Sequence, residues 1–195
     1  MFIAEKINLK EDRLSILTGA TWNDYEKFNT PEYHSYLISY LNNEITIMSP
    51  GRNHERIAET IGILIEAYCD KYDIDCFPFG STRLEEKGLE GKEPDTSYAF
   101  KTDKNKPDLA VEVIFTSGSL NDLTKYKYLK IEEVWLWQNN QIKFYKLENN
   151  DYKTIKESFF LKGIKSQSLV GFINRGFSES TTKIRKDFFN SYFSS

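Results

Sequence analysis

The chain has 195 residues, with 26 Lys+Arg against 29 Asp+Glu and a formal net charge of -3. A hydrophobic fraction of 39% and a charged fraction of 28% are those of one globular domain with short extensions and exclude a disordered chain. The acidic balance excludes a generally basic nucleic-acid binder, so any DNA contact has to come from a local patch.

No apolar run approaches the roughly 18 residues of a membrane span. The first ten residues mix Glu5, Lys6 and Lys10 with apolar ones and lack a signal-peptide core, so the expected location is cytoplasmic. In that compartment Cys69 and Cys76 read as small buried hydrophobes rather than a disulfide. With only His34 and His54 available, a Cys/His zinc site is not expected.

In chain order, Thr21 is the N-cap of a short helix whose third position is Asp24. Ser35–Leu41 and Glu44–Met48 flank Asn42-Asn43 and predict a β-hairpin, because Asn tolerates the left-handed backbone of tight turns. Ser49-Pro50-Gly51 breaks the second strand. From Asn53 to Tyr72, Ile57, Ile61, Leu64, Ile65 and Tyr68 recur on one helical face. Short strands are predicted at Asp75–Pro78 and Ser81–Glu85, then a flexible loop over Glu86–Lys92, then a strand over Pro94–Phe100. Pro107–Phe115 is the most continuous apolar strand and is expected to be central. A helix at Leu120–Leu129 precedes a second Asn-Asn hairpin, Glu133–Trp137 with Gln141–Leu147. The segment Ser166–Ile173 and a polar C-terminal helix complete the chain. Strands, helix and further strands in this order imply an α/β sandwich with a mixed β-sheet flanked by helices.

Glu112 interrupts the most hydrophobic strand, and a carboxylate there costs several kcal/mol unless it is paired or metal-bound. Alternation puts Asp108, Ala110, Glu112 and Ile114 on one face, and Leu109, Val111, Val113 and Phe115 on the other. Asp95 precedes Glu112 by 17 residues, a spacing that a strand, a turn and an antiparallel return fill. Two carboxylates on neighbouring strands can hold a hard cation such as Mg²⁺. Taken singly, Glu112 also fits a strand-end acid held by hydrogen bonds, and Asp95 fits a residue capping its own turn.

These residues carry a resemblance. Met48-Ser49-Pro50-Gly51 with His54-Glu55, Gly91-Lys92-Glu93-Pro94-Asp95, Lys106-Pro107-Asp108-Leu109-Ala110-Val111-Glu112-Val113 and Glu133-Val134-Trp135-Leu136-Trp137 stand in the order found in one group of proteins. The chain resembles the PD-(D/E)XK nuclease superfamily and, more closely, its bacterial Uma-type branch of restriction-endonuclease-like proteins. The resemblance implies a restriction-endonuclease-like core over residues 21–175, with an N-terminal β-hairpin, an N-terminal extension over 1–20 and a C-terminal helical extension over 176–195. It also implies a DNA endonuclease that uses Mg²⁺, with Mn²⁺ as a substitute. Glu55, Asp95 and Glu112 would be the metal ligands. A lysine would orient the attacking water and neutralise the transition state. His54 is expected only to cap or pack, and Glu55 alone would also suit the helix dipole.

The lysine is where this chain departs from the pattern. Ile114 stands two residues after Glu112, and Asp122 falls where the branch carries its lysine on the following helix. Lys125 shares a helix face with Asp122 and is long enough to reach back toward Glu112, so Asp95, Glu112 and Lys125 are the expected catalytic set. Asp122 equally favours an alternative, a catalytically silent nuclease-fold module that binds nucleic acid or protein. DNA affinity is expected to be weak and salt-dependent, and a homodimer would let two sites address two strands.

Overall fold

In the computed structural model, residues 11–115 and 120–193 are described, without the side chains of residues 120–122. Two β-sheets organise the chain. The first has the order β1-β3-β2-β6-β5, from Arg13–Thr18 (β1), Leu37–Leu41 (β2), Glu44–Ser49 (β3), Leu84–Glu86 (β5) and Glu90–Lys92 (β6). Its pairings are all antiparallel. The second has the order β11-β10-β9-β8-β7-β4, from Cys76–Pro78 (β4), Thr96–Phe100 (β7), Leu109–Ile114 (β8), Glu133–Gln138 (β9), Gln141–Glu148 (β10) and Asp151–Ile155 (β11). Only β8 and β9 pair in parallel, with helix α3 (Leu120–Tyr128) as the crossover that a parallel connection requires. The mixed sheet expected from sequence is this second one, and β8 is central in it.

Local chemistry explains the turns. Thr21 and Asp24 form a reciprocal capping box at α1 (Trp22–Glu26). Asn42-Asn43, Asn139-Asn140 and Asn149-Asn150 all have φ between 50° and 62°, the backbone that two-residue hairpins need. The third pair makes the β10–β11 hairpin, which the sequence reading did not include. Glu90–Lys92 is a correction as well: it was expected in a flexible loop, but it is the buried strand β6, hydrogen-bonded between β2 and β5. A three-residue strand containing glycine is too short to show a period of two, and pairing on both sides holds it.

Helix α2 (Arg52–Tyr72) buries Ile57, Ile61, Leu64, Ile65 and Tyr68 against Leu109, Val111 and Val113 of β8, each such side chain contributing roughly 1.5–3 kcal/mol. The same core takes Leu169 and Ile173 of α4 (Ser166–Asn174) and Ile184 and Phe188 of α5 (Thr181–Tyr192). β1 is an edge of the first sheet, and α5 is part of the main core. Ala110, on the other face of β8, packs with Val134, Tyr126, Leu129 and Ile131, and α1 rests on the first sheet through Tyr25, Ile38, Tyr40 and Ile45.

Glu133 is fully buried and ties β9 to the segment after β11. It accepts from Trp135 Nε1 at 2.7 Å and from the Phe159 and Phe160 amides at 3.0 and 3.1 Å. Burial raises its pKa above the ordinary 4.5 even though those donors oppose the shift. The folded state thus holds the proton more tightly than the unfolded state, and stability falls as pH rises from about 4.5 through the raised folded value. Glu133→Gln is expected to flatten that part of the stability profile, and thermal melts between pH 4 and 7 check it. A second expectation concerns Gly91, where a Cβ would lie 2.2 Å from the hydroxyl of fully buried Tyr25. Gly91→Ala should cost at least about 1–3 kcal/mol in urea unfolding, and an unchanged midpoint would show that Tyr25 can vacate its position.

Candidate active site

Helix α2 begins at Gly51, which has no side chain to cap it. The cap comes from Asp12, just before β1: its Oδ1 accepts from the Gly51 amide at 2.8 Å and its Oδ2 lies 2.9 Å from His54 Nδ1. A carboxylate at a helix N-terminus satisfies an unpaired amide and complements the dipole. On the other side of the ring, His54 Nε2 lies 2.7 Å from Asp95 Oδ1. That contact lacks the alignment of a hydrogen bond, and both atoms are buried without an aligned partner. The contact is therefore ionic. His54, Asp12 and Asp95 have side chains no more than 2% exposed. Burial would pull the imidazole pKa down, but the Asp95 charge and the hydrogen bond with Asp12 outweigh it and push it up to about 10. At neutral pH the group is an imidazolium between two carboxylates.

Asp95 stands immediately before β7, beside β8. Its amide donates to the Val111 carbonyl at 3.2 Å and its Oδ2 accepts from the Val113 amide at 2.6 Å. Asp95 also lines a cavity of about 270 Å³ with Glu55, Glu59 and Glu66 of α2 and with Gly80 and Ser81. Burial raises the Glu55 pKa, His54 opposes, and the Asp95 and Asp12 charges add to the rise.

Glu112 has a different set of partners. Because Val111 and Val113 face α2, Glu112 faces α3 and the first sheet. Lys92 Nζ of β6 donates to its Oε2 at 3.0 Å, and the Tyr126 hydroxyl of α3 donates to its Oε1. Lys125, the neighbour of Tyr126, is buried and donates to Ser39 Oγ of β2 at 2.7 Å. The fully buried Glu90 belongs to the same strand as Lys92. This face is therefore a buried charged cluster between α3, β8 and the first sheet.

Of the residues singled out from sequence, Glu55 and Asp95 share one cavity, while Glu112 and Lys125 belong to the cluster on the opposite face of β8. Among the described residues, no group of three or more His, Cys, Asp or Glu is arranged to hold a metal ion. The Asp122 side chain lies outside the described residues. Sequence reasoning did not find Asp12, Lys92 or Tyr126, and it gave His54 a packing role. Asp12 carries no local signal, since it acts 42 residues away. Lys92 was detectable only by recognising Leu84–Glu86 and Glu90–Lys92 as a hairpin about Gly88, whose φ is +79°.

The His54 clamp has a direct consequence. His54→Ala leaves two buried carboxylates without their shared cation, and is expected to cost about 3–5 kcal/mol in denaturant unfolding at pH 7. A loss below about 1 kcal/mol would show that Asp12 and Asp95 do not depend on the imidazolium.

No curated protein matches the chain. Among solved structures, it is similar to one described as a "putative nuclease belonging to DUF820" from Anabaena variabilis ATCC 29413, with 16% identity, a TM-score of 0.53, and coverage of 78% of this chain and 98% of that one. At that identity the likeness concerns the fold. Residues 22–173 match the Uma2 family, described as "Putative restriction endonuclease". That match takes in most of the chain, from α1 to α4: the protein belongs to the Uma2 family.

Proposed function

We propose that the protein is a Mg²⁺-dependent nuclease that hydrolyses DNA phosphodiester bonds at the cavity shared by Asp95 and Glu55. The observation that carries this reading is the cavity of about 270 Å³ that the Asp95 carboxylate lines together with a second carboxylate, Glu55. Two carboxylates suit Mg²⁺, which commonly takes one or two from the protein and completes its shell with water and substrate phosphate oxygens. Such a cation would lower the pKa of a bound water and offset charge on the phosphoryl oxygens.

The chain's own groups have separate tasks in this reading. The Val113 amide and His54 fix the Asp95 carboxylate. Glu55, whose proton is held more tightly than in water, completes the donor set once a cation relieves its repulsion with Asp95. Lys92 supplies positive charge beside Glu112 on the opposite face of β8, so this carboxylate would stay outside the donor set. With 29 acids against 26 bases, DNA binding is weak and falls steeply with salt.

A second reading is a nuclease-fold module without catalysis. The observation that favours it is the engagement of Glu112 by Lys92 and Tyr126. Nicking of supercoiled plasmid separates the two. The nuclease reading expects cleavage in Mg²⁺ or Mn²⁺, none in EDTA, and a loss of at least about 100-fold in Asp95→Ala, the scale of removing one transition-state-stabilising group. Wild type that leaves plasmid intact in both metals, with no Asp95-dependent uptake of Mn²⁺ by calorimetry, establishes the silent module instead.

A further inference from the structure

A second cavity, of about 420 Å³, opens on the other side of the turn that follows β4. Its walls include four aromatic rings, Phe28, Tyr33, Tyr36 and Phe79, together with Ser81 and Arg83. Phe28 and Tyr33 meet edge to face at 4.9 Å between centroids, and Tyr33 lies 6.4 Å from Tyr36. Tyr36 is 37% exposed, so its ring is accessible from solvent. Arg83 forms part of the wall through a fixed guanidinium, bonded to Glu93 Oε1 at 2.7 Å and stacked 4.8 Å from the Tyr25 ring centroid. Its Nη1 is a buried donor with no acceptor among the described residues.

This cavity adjoins the carboxylate cavity, because Ser81 lines both. The turn between them is held in place. Gly80 adopts a left-handed backbone with φ +57°, the Thr82 amide and hydroxyl both donate to the Phe79 carbonyl at 3.1 and 2.6 Å, and the Ser97 hydroxyl donates to the Gly80 carbonyl at 2.9 Å. Ser97 stands two residues after Asp95 on the same strand. The Phe79–Thr82 turn and the Asp95 carboxylate are thus tied to the same stretch of chain.

We infer that the aromatic cavity is a nucleobase subsite, which seats an unstacked base of a single-stranded or locally opened DNA while the adjoining phosphodiester lies over Asp95 and Glu55. Planar rings at a cavity mouth stack on the π-face of any base, and a base's carbonyl and ring-nitrogen atoms are acceptors suited to the Arg83 donor. A base inside a duplex cannot enter such a cavity without leaving its stack. The inference rests on the nuclease reading and narrows its substrate to unpaired strands.

Fluorescence anisotropy in EDTA, with a labelled short single-stranded oligodeoxynucleotide and its perfect duplex, tests binding apart from cleavage. The single strand is expected to bind at least about 10-fold more tightly than the duplex. Tyr36→Ala and Phe79→Ala should each weaken single-strand binding roughly 5- to 100-fold, leaving duplex affinity and the melting temperature unchanged, while Tyr36→Phe retains binding. Equal affinity for both probes, unaffected by the two alanine variants, overturns the subsite. Plasmid nicking run in parallel separates this failure from that of the nuclease reading. Asp95-dependent cleavage with silent ring variants removes the subsite and leaves the nuclease. Ring-dependent single-strand binding without cleavage in any metal supports the subsite and removes the nuclease.

Discussion

The alternation along β8 decides where its own buried carboxylate goes. Val111 and Val113 are committed to α2 and the main core, so the residue between them must turn the other way. Glu112 therefore enters the space between α3 and the first sheet, where a lone carboxylate is costly. Lys92 and Tyr126 are placed to meet it. Asp95, on the adjacent strand, is taken instead by α2 through His54 and by the β8 backbone through Val113. One apolar alternation thus divides the acids between two environments. One is open to a cavity; the other is closed by a lysine and a tyrosine.

The cavity side behaves as a prearranged acceptor. Asp95 cannot swing, because one oxygen is bonded to a backbone amide and the other faces an imidazolium that is itself held by Asp12. Groups whose geometry is fixed before a ligand arrives lose little on binding it. The same holds at the Phe79–Thr82 turn, where backbone and hydroxyl bonds fix the wall between the two cavities.

Much of the fold could be read from local patterns, because local patterns produce it. The α2 stripe, the Thr21–Asp24 box and the paired asparagines each express a rule that spans a few residues. The family order of the Asp95 and Glu112 motifs likewise survives in linear form, and the match over residues 22–173 agrees with it. What the sequence hid is what depends on distant chain. Asp12 reaches His54 across 42 residues, and Lys92 reaches Glu112 across 20 from a strand too short to show alternation. The split of Glu112 from the Asp95–Glu55 cavity follows from the direction of a strand's side chains against two different layers, which spacing along the chain cannot convey.

The parallel pairing of β8 with β9 also sets an order of assembly. The Asn-Asn hairpins close over a few residues, whereas the β8–β9 register forms only after the chain has crossed through α3. Loop closure of that kind is slow relative to hairpin formation. Tyr126 lies on the crossing helix itself, so Glu112 gains this partner only when the crossing closes. Until then its carboxylate remains hydrated, and the folding chain keeps a charge in its most apolar strand, which restrains that strand from pairing with another copy.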